Sequence, residues 1–399
     1  MTTCQNPSTG ARTRHFYIEE VTCGVTPTSP AWKPLRYTSG NMQLSKDGLQ
    51  SAELDGSREV ADLRLGQNQT SGEISVELSL NAYDDLLEAA LGGTWASGVE
   101  LSGVEITSDA TLQSFTRTAG DFLIDGAQVG MLVQCVDLVN GENNGIFQIQ
   151  QLNGTTLYVC CINGVTVTDE VATTTDINFA DQLQIGSNRR SFSVLTHFAD
   201  ADGGAGEYHL TKGVEIVGYS FDTSVNALVT GTFSTIGRSY SADVALPSGS
   251  TFVSVAKTEP FSSVDGTIQW NSGVVREPLA YVTSLTNTLD NNASAQFEIG
   301  SNDTSFIEQG RANSNISMTA FFEDSTILNR FINEEETSIQ LTLSGTDGAF
   351  SFEYPRVIFT SGAPDVAGEG SITQSLDAQA LLESDVFNSS LIVQRLERA

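Results

Sequence analysis

The chain has 399 residues, 17% of them charged, and a formal net charge of −30 from 19 Lys+Arg against 49 Asp+Glu. That length supports two or three domains with real cores, and the shortage of cations excludes a basic footprint for gripping nucleic acid. No run approaches the roughly 18 apolar residues of a membrane-spanning helix, and the N-terminus lacks the apolar stretch of a secretory signal, so no membrane insertion is expected.

Residues 1–31 read as an irregular arm, with Pro7, Pro27 and Pro30 among Thr, Ser and Gly. Pro34-Leu35-Arg36-Tyr37 then opens a block whose centre is residues 71–95. There Ile74, Val76, Leu78 and Leu80 fall on one side of an extended chain, and Glu73, Ser75, Glu77 and Ser79 on the other. Period two marks a half-buried strand. Asn81 or Asp84 is placed to cap a short helix carrying Leu86, Leu87, Ala90 and Leu91, which Gly92-Gly93 stops.

Residues 96–188 are punctuated by Asp125-Gly126, Asn140-Gly141, Asn144-Gly145, Asn153-Gly154 and Asn163-Gly164, with apolar strands between. This predicts a small all-β barrel or sandwich, inserted in an outward-facing loop and projecting from the body. A hairpin from Ser191 through Tyr208 to Val217 and an alternating run over 228–236 complete the first block. Residues 241–276 read as a linker with a hairpin from Phe261 to Trp270, turning at Asp265-Gly266.

The plan then returns. Pro278-Leu279-Ala280-Tyr281 echoes Pro34-Leu35-Arg36-Tyr37, and residues 313–333 put Ile316, Met318, Ala320 and Phe322 inward against Asn315, Ser317 and Thr319 outward. Asp324 sits at a cap position, and Ile327, Leu328 and Phe331 form a helical stripe. A second hairpin runs from Ser338 to Tyr354, followed by an alternating run over 370–376. Tyr37 precedes Ile74 by 37 residues and Tyr281 precedes Ile316 by 35, which argues for an internal duplication. The last residues, 391–398, are either a closing strand or a strap to a neighbour. The expected fold class is all-β dominated with minor α: two tandem β-sandwich or barrel domains, each with a short flanking helix, plus the inserted β domain. Domain 1 is 1–95 with 189–240; domain 2 is 277–399.

Chemistry is sparse. His197 and His209 flank a turn, where plain surface residues are favoured over a metal pair. Asp200-Ala201-Asp202-Gly203-Gly204 lacks the closing glutamate of a calcium loop. Asp84-Asp85 and Glu334-Glu335-Glu336 sit at helix ends and are not placed as a hydrolase pair. Cys4, Cys23, Cys135, Cys160 and Cys161 show no metal-ligand spacing; free buried thiols are expected, with a Cys135–Cys160 pair as the alternative. No catalytic, cofactor or metal site is expected, and no enzymatic activity.

The stretch from Trp32-Lys33-Pro34-Leu35-Arg36 through Ser71-Gly72-Glu73-Ile74 to Tyr83-Asp84-Asp85-Leu86-Leu87 resembles the major tail tube proteins of long, non-contractile-tailed bacteriophages. So do Val282-Thr283-Ser284-Leu285, Asp290-Asn291-Asn292, Gly310-Arg311 and Tyr354-Pro355-Arg356-Val357. The resemblance implies a structural virion protein, assembled in the host bacterial cytoplasm, whose sheets join those of neighbours around a channel. Self-association into trimeric pseudo-sixfold rings is implied, with hexameric rings as the alternative. The implied partners are a tape-measure protein, tail terminator and tail-tip proteins, and double-stranded DNA in transit during ejection. Glu73, Ser75, Glu77, Ser79, Asn315, Ser317 and Thr319 are then expected to line the lumen. The competing reading is a carbohydrate-binding adhesin or virion decoration protein acting through the inserted domain.

Overall fold

A computed structural model describes residues 8–53, 59–162, 165–199, 206–254, 257–271, 276–279, 281–366 and 368–399, with Cys161 by its backbone only. The first block contains β1 (Thr13–Glu19), β2 (Ala31–Pro34), β3 (Ser39–Gln50), β4 (Leu63–Glu77) and helix α1 (Asp84–Leu91). A closed six-stranded barrel follows, built from β5 (Glu100–Asp109), β6 (Ser114–Arg117), β7 (Leu132–Val136), β8 (Ile146–Leu152), β9 (Thr156–Cys161) and β10 (Glu170–Phe179). Next come β11 (Asp181–Gln184), β12 (Phe192–Phe198), β13 (Glu207–Ser224), β14 (Thr230–Gly237), β15 (Ser239–Ser241) and β16 (Thr251–Phe252). The remainder holds β17 (Gly266–Asn271), β18 (Arg276–Pro278), β19 (Val282–Asp290), β20 (Ser294–Gln296), β21 (Phe306–Glu308), β22 (Asn313–Phe321) and α2 (Thr326–Ile332). It ends with β23 (Thr337–Ser344), β24 (Gly348–Phe359), β25 (Pro364–Asp365), β26 (Thr373–Ala380) and β27 (Ile392–Glu397).

One pairing network occurs twice. In the first, β1 lies between β2 and β12, β12 pairs with β13, β13 with β14, β14 with β4, and β4 with β3. In the second, β17 lies between β18 and β23, β23 pairs with β24, β24 with β26, β26 with β22, and β22 with β19. Helix α1 follows β4 as α2 follows β22. Residues 218–224 of β13 pair with 284–290 of β19, which fuses the two networks into one run of eight antiparallel strands: β3-β4-β14-β13-β19-β22-β26-β24.

The register is held by burial. Ile74, Val76, Ile316, Met318 and Ala320 are buried on one face, joined by Tyr219, Phe221, Phe233, Leu285 and Leu376. A one-residue slip would move each such strand's apolar set into water, at roughly 2 kcal/mol per side chain. Phe221 packs edge-on against Phe233 with ring centroids 5.6 Å apart.

Several expectations are corrected. The supposed N-terminal arm contains β1, whose His15, Phe16 and Tyr17 are all buried; both faces are covered, so no alternation announces it. The hairpin expected from Phe261 to Trp270 is instead β17–β18, and Ser263–Asp265 is a short 3-10 turn leading into it. Neither Asn81 nor Asp84 caps α1: Tyr83 holds the N-cap position without a side-chain bond, and Gly92, in the left-handed region at φ 65°, ends the helix. Leu80 is buried and Phe322 half-buried.

The barrel does not stand free. Its Leu132, Ile146 and Ile162, with the adjoining Ala180, pack against Ala349 and Leu396 of the second block. Arg276 reaches Gln340 Oε1 at 2.5 Å and Glu353 Oε2 at 3.0 Å. The Gln340 and Gln394 amides both donate to the Gly130 carbonyl, at 2.9 and 3.1 Å. β27 pairs with both β24 and β11, so the C-terminal segment is a closing strand that also ties the barrel's exit to the second block.

Candidate channel-facing surface

Opposite the apolar face, the eight strands lay out a polar one. Reading across the sheet, one row is Ser39–Ser75–Thr232–Ser220–Thr288–Asn315–Gln379. The next row on one side is Asn41–Glu73–Ser234–Gly218–Asp290–Asn313. On the other side runs Glu77–Thr230–Asp222–Thr286–Ser317–Asp377, and beyond it Ser224–Ser284–Thr319–Ser375. Glu73, Glu77, Asp222, Asp290 and Asp377 give these rows five carboxylates and no Lys or Arg. Thr286 donates to Asp222 at 2.5 Å and Ser317 to Asp377 at 2.6 Å, which holds two of the carboxylates flat on the sheet. The arrangement can present a smooth acidic and hydroxyl-rich wall, with no side-chain cation to bind an anion.

Of the residues singled out from sequence, Glu73, Asn315 and Ser317 are exposed on this face and Ser75, Glu77 and Thr319 are half-buried there. Ser79 is not on it. The chain leaves the ladder after Glu77, Leu78 exchanges backbone bonds with Val229 and Phe261, and Ser79 is buried where it accepts a hydrogen bond from Arg36 at 2.8 Å. The rows on β13, β14, β19 and β26 were missed, although TGTFSTIG, TSLTNTLD and TQSLDAQA carry the same period of two.

The other candidate residues are structural. Asp85 pairs with Lys33 at 2.5 Å, and Asp84 with Arg395; burial pushes the Asp84 carboxyl up despite that guanidinium. Arg395 also lies over the Trp95 ring at 4.5 Å. Glu336 pairs with Arg356 at 2.5 Å. His197 stacks on Tyr208 while His209 Nε2 meets Glu207 at 2.8 Å, and no group of three metal-ligating side chains occurs among the described residues. The Asp200–Gly204 motif lies outside the described residues. Cys135 is buried inside the barrel, where desolvation pushes its thiol up to about 12; Cys160 instead accepts a hydrogen bond from the Gln269 amide, so no disulfide joins Cys135 to Cys160.

No curated protein matches the chain. A family model described as phage tail tube protein matches residues 10–380, spanning both pairing networks and the barrel between them. The chain belongs to the phage tail tube protein family, structural components of the virion tail.

Proposed function

We propose that the protein is the wall subunit of the tail tube of a long, non-contractile-tailed bacteriophage, with its polar sheet face turned to the channel. The observation carrying this reading is the eight-strand face, rich in hydroxyls and carboxylates and free of Lys and Arg across its aligned rows. Each chain supplies two wall segments, the first comprising 1–95 with 189–240 and the second starting at Gly266 rather than at 277. Three chains then close a pseudo-sixfold ring, and rings stack around a tape-measure protein between a tail-tip complex and a terminator. At ejection that protein leaves and double-stranded DNA follows.

The wall is passive. At physiological salt the screening length is about 8 Å, so carboxylates act only on phosphates that come close. There they repel, and DNA slides without adhering. Glu73 and Glu77 line the channel together with Asp222, Asp290 and Asp377. Negative-stain microscopy of the purified protein tests the assignment: stacked hollow rings with a central bore are expected, and solid assemblies or persistent monomers overturn it.

A further inference from the structure

The seam inside the chain is a template for a seam between chains. Within one molecule, 218–224 of β13 lie against 284–290 of β19 in register, with Ser220 opposite Thr288. The strand in the first network that corresponds to β19 is β3, which among the described residues pairs with β4 alone, along one edge. The stretch in the second network that corresponds to 218–224 runs from 358 to 365, and among the described residues it pairs with β26 alone. The eight-strand run therefore ends in two open edges, one at each side, and they have the identities of the two edges already joined in its middle. Open edges recruit strands.

The floor beneath the seam repeats as well. Inside the chain, residues 223–225 lie across a hollow lined by Ile268, Leu279, Tyr281 and Leu341. The matching hollow beside β3 is lined by His15, Tyr37, Met42, Thr196 and Phe198, and measures about 490 Å³, with none of the described residues lying across it. His15 faces Thr196 across its strand pair as Ile268 faces Leu341 across the other. Where the seam is permanently closed the pair is aliphatic; where it is open to water the pair is polar.

We propose that β3 and the hollow beside it receive residues 358–366 of a second copy of this chain, setting Thr360 of that copy opposite Asn41. This assignment rests on the tube reading for ring closure, while the two edges are set by the internal seam. The contact is head-to-tail, using different surfaces on each molecule, and so propagates until it closes. Val366, 69% exposed, occupies the position of Val225 and comes to the hollow's rim.

Asn41 and Thr360 are both exposed, so a cysteine pair tests the contact directly. In a background with Cys4 and Cys23 replaced by Ser, the N41C/T360C double variant is oxidised and run on a non-reducing gel. Bands at two and three times the chain mass are expected, while N41C alone and T360C alone stay monomeric. Mixing the two single variants, differently tagged, yields only a mixed dimer. Disulfide dimers of N41C alone would mean a two-fold contact and overturn the proposal. Hollow rings without the double-variant cross-link overturn this seam and leave the tube reading standing. Cross-linked chains without a bore do the reverse, and absence of both rings and cross-link removes both.

Discussion

Arg276 and Glu353 form an ion pair sealed between the barrel and the second block, with Arg276 8% exposed and Glu353 fully buried. The carboxylate comes from β24 and the guanidinium from β18, and Gln150 of the barrel donates to the Arg276 carbonyl at 3.1 Å. Such a pair contributes little over a well-packed apolar substitute, yet removing one partner strands the other charge. Arg276→Met should therefore cost about 3–5 kcal/mol. The double variant Arg276→Met/Glu353→Met should recover most of that loss. Urea denaturation of the three proteins gives the coupling, and additive losses would contradict it.

Gly130 sits where this cluster touches the barrel. Its φ is +90°, and a Cβ added there would lie 2.4 Å from Glu353 Oε2. Gly130→Ala should destabilise by roughly 1–3 kcal/mol through backbone strain and displacement of the carboxylate. Hydrogen exchange should quicken at Leu132, whose backbone N–H donates to Gln394 at 2.9 Å, while the barrel interior around Phe115 and Phe147 stays protected. Uniform loss across the chain would argue against a local effect.

Acid should weaken the first block through His15. Burial holds its pKa below the usual 6.5, with Nδ1 2.9 Å from Thr196 Oγ1. Between the ordinary and the lowered value the unfolded chain binds a proton that the folded chain does not, so stability falls as pH drops through that window. His15→Phe should flatten this part of the pH profile. Urea midpoints measured on both sides of pH 6.5, variant against wild type, read the difference; parallel profiles would rule the histidine out.

Reversing the wall charge should make the channel sticky. Glu73→Lys with Glu77→Lys places cations on the two rows that flank the Ser75 row of the polar face, and assembled tubes should then retain short duplex DNA that wild-type tubes release. The retention should vanish at high salt, as expected for phosphate contacts. Filter binding at two ionic strengths measures it. Equal retention by both proteins would place the two glutamates away from the bore.

The alternation of 71–80 and 313–322 made the central strands and their two faces legible, because one side packs on a core and the other does not. The Asn-Gly and Asp-Gly turns likewise announced the barrel's strands. What stayed hidden depends on partners distant in sequence. β1 shows no period because it is covered on both sides. Gln134, Gln148, Gln340 and Gln394 look like surface residues but are 2% exposed or less, each bonded across the contact between barrel and second block: Gln134 accepts from the Ala399 N–H, Gln148 donates to Gln340, and Gln340 and Gln394 donate to the Gly130 carbonyl. Ser79 continues the polar period in sequence and leaves it in space, since the ladder ends before it.

The barrel is spliced into one half of the chain and anchored on the other, which makes it a brace across the β13–β19 junction. Such a brace opposes hinging along the wall within one molecule. In a tube built from such pieces, flexure would concentrate at the junctions between molecules, and a bending tail would yield there before the paired segments within any one chain gave way.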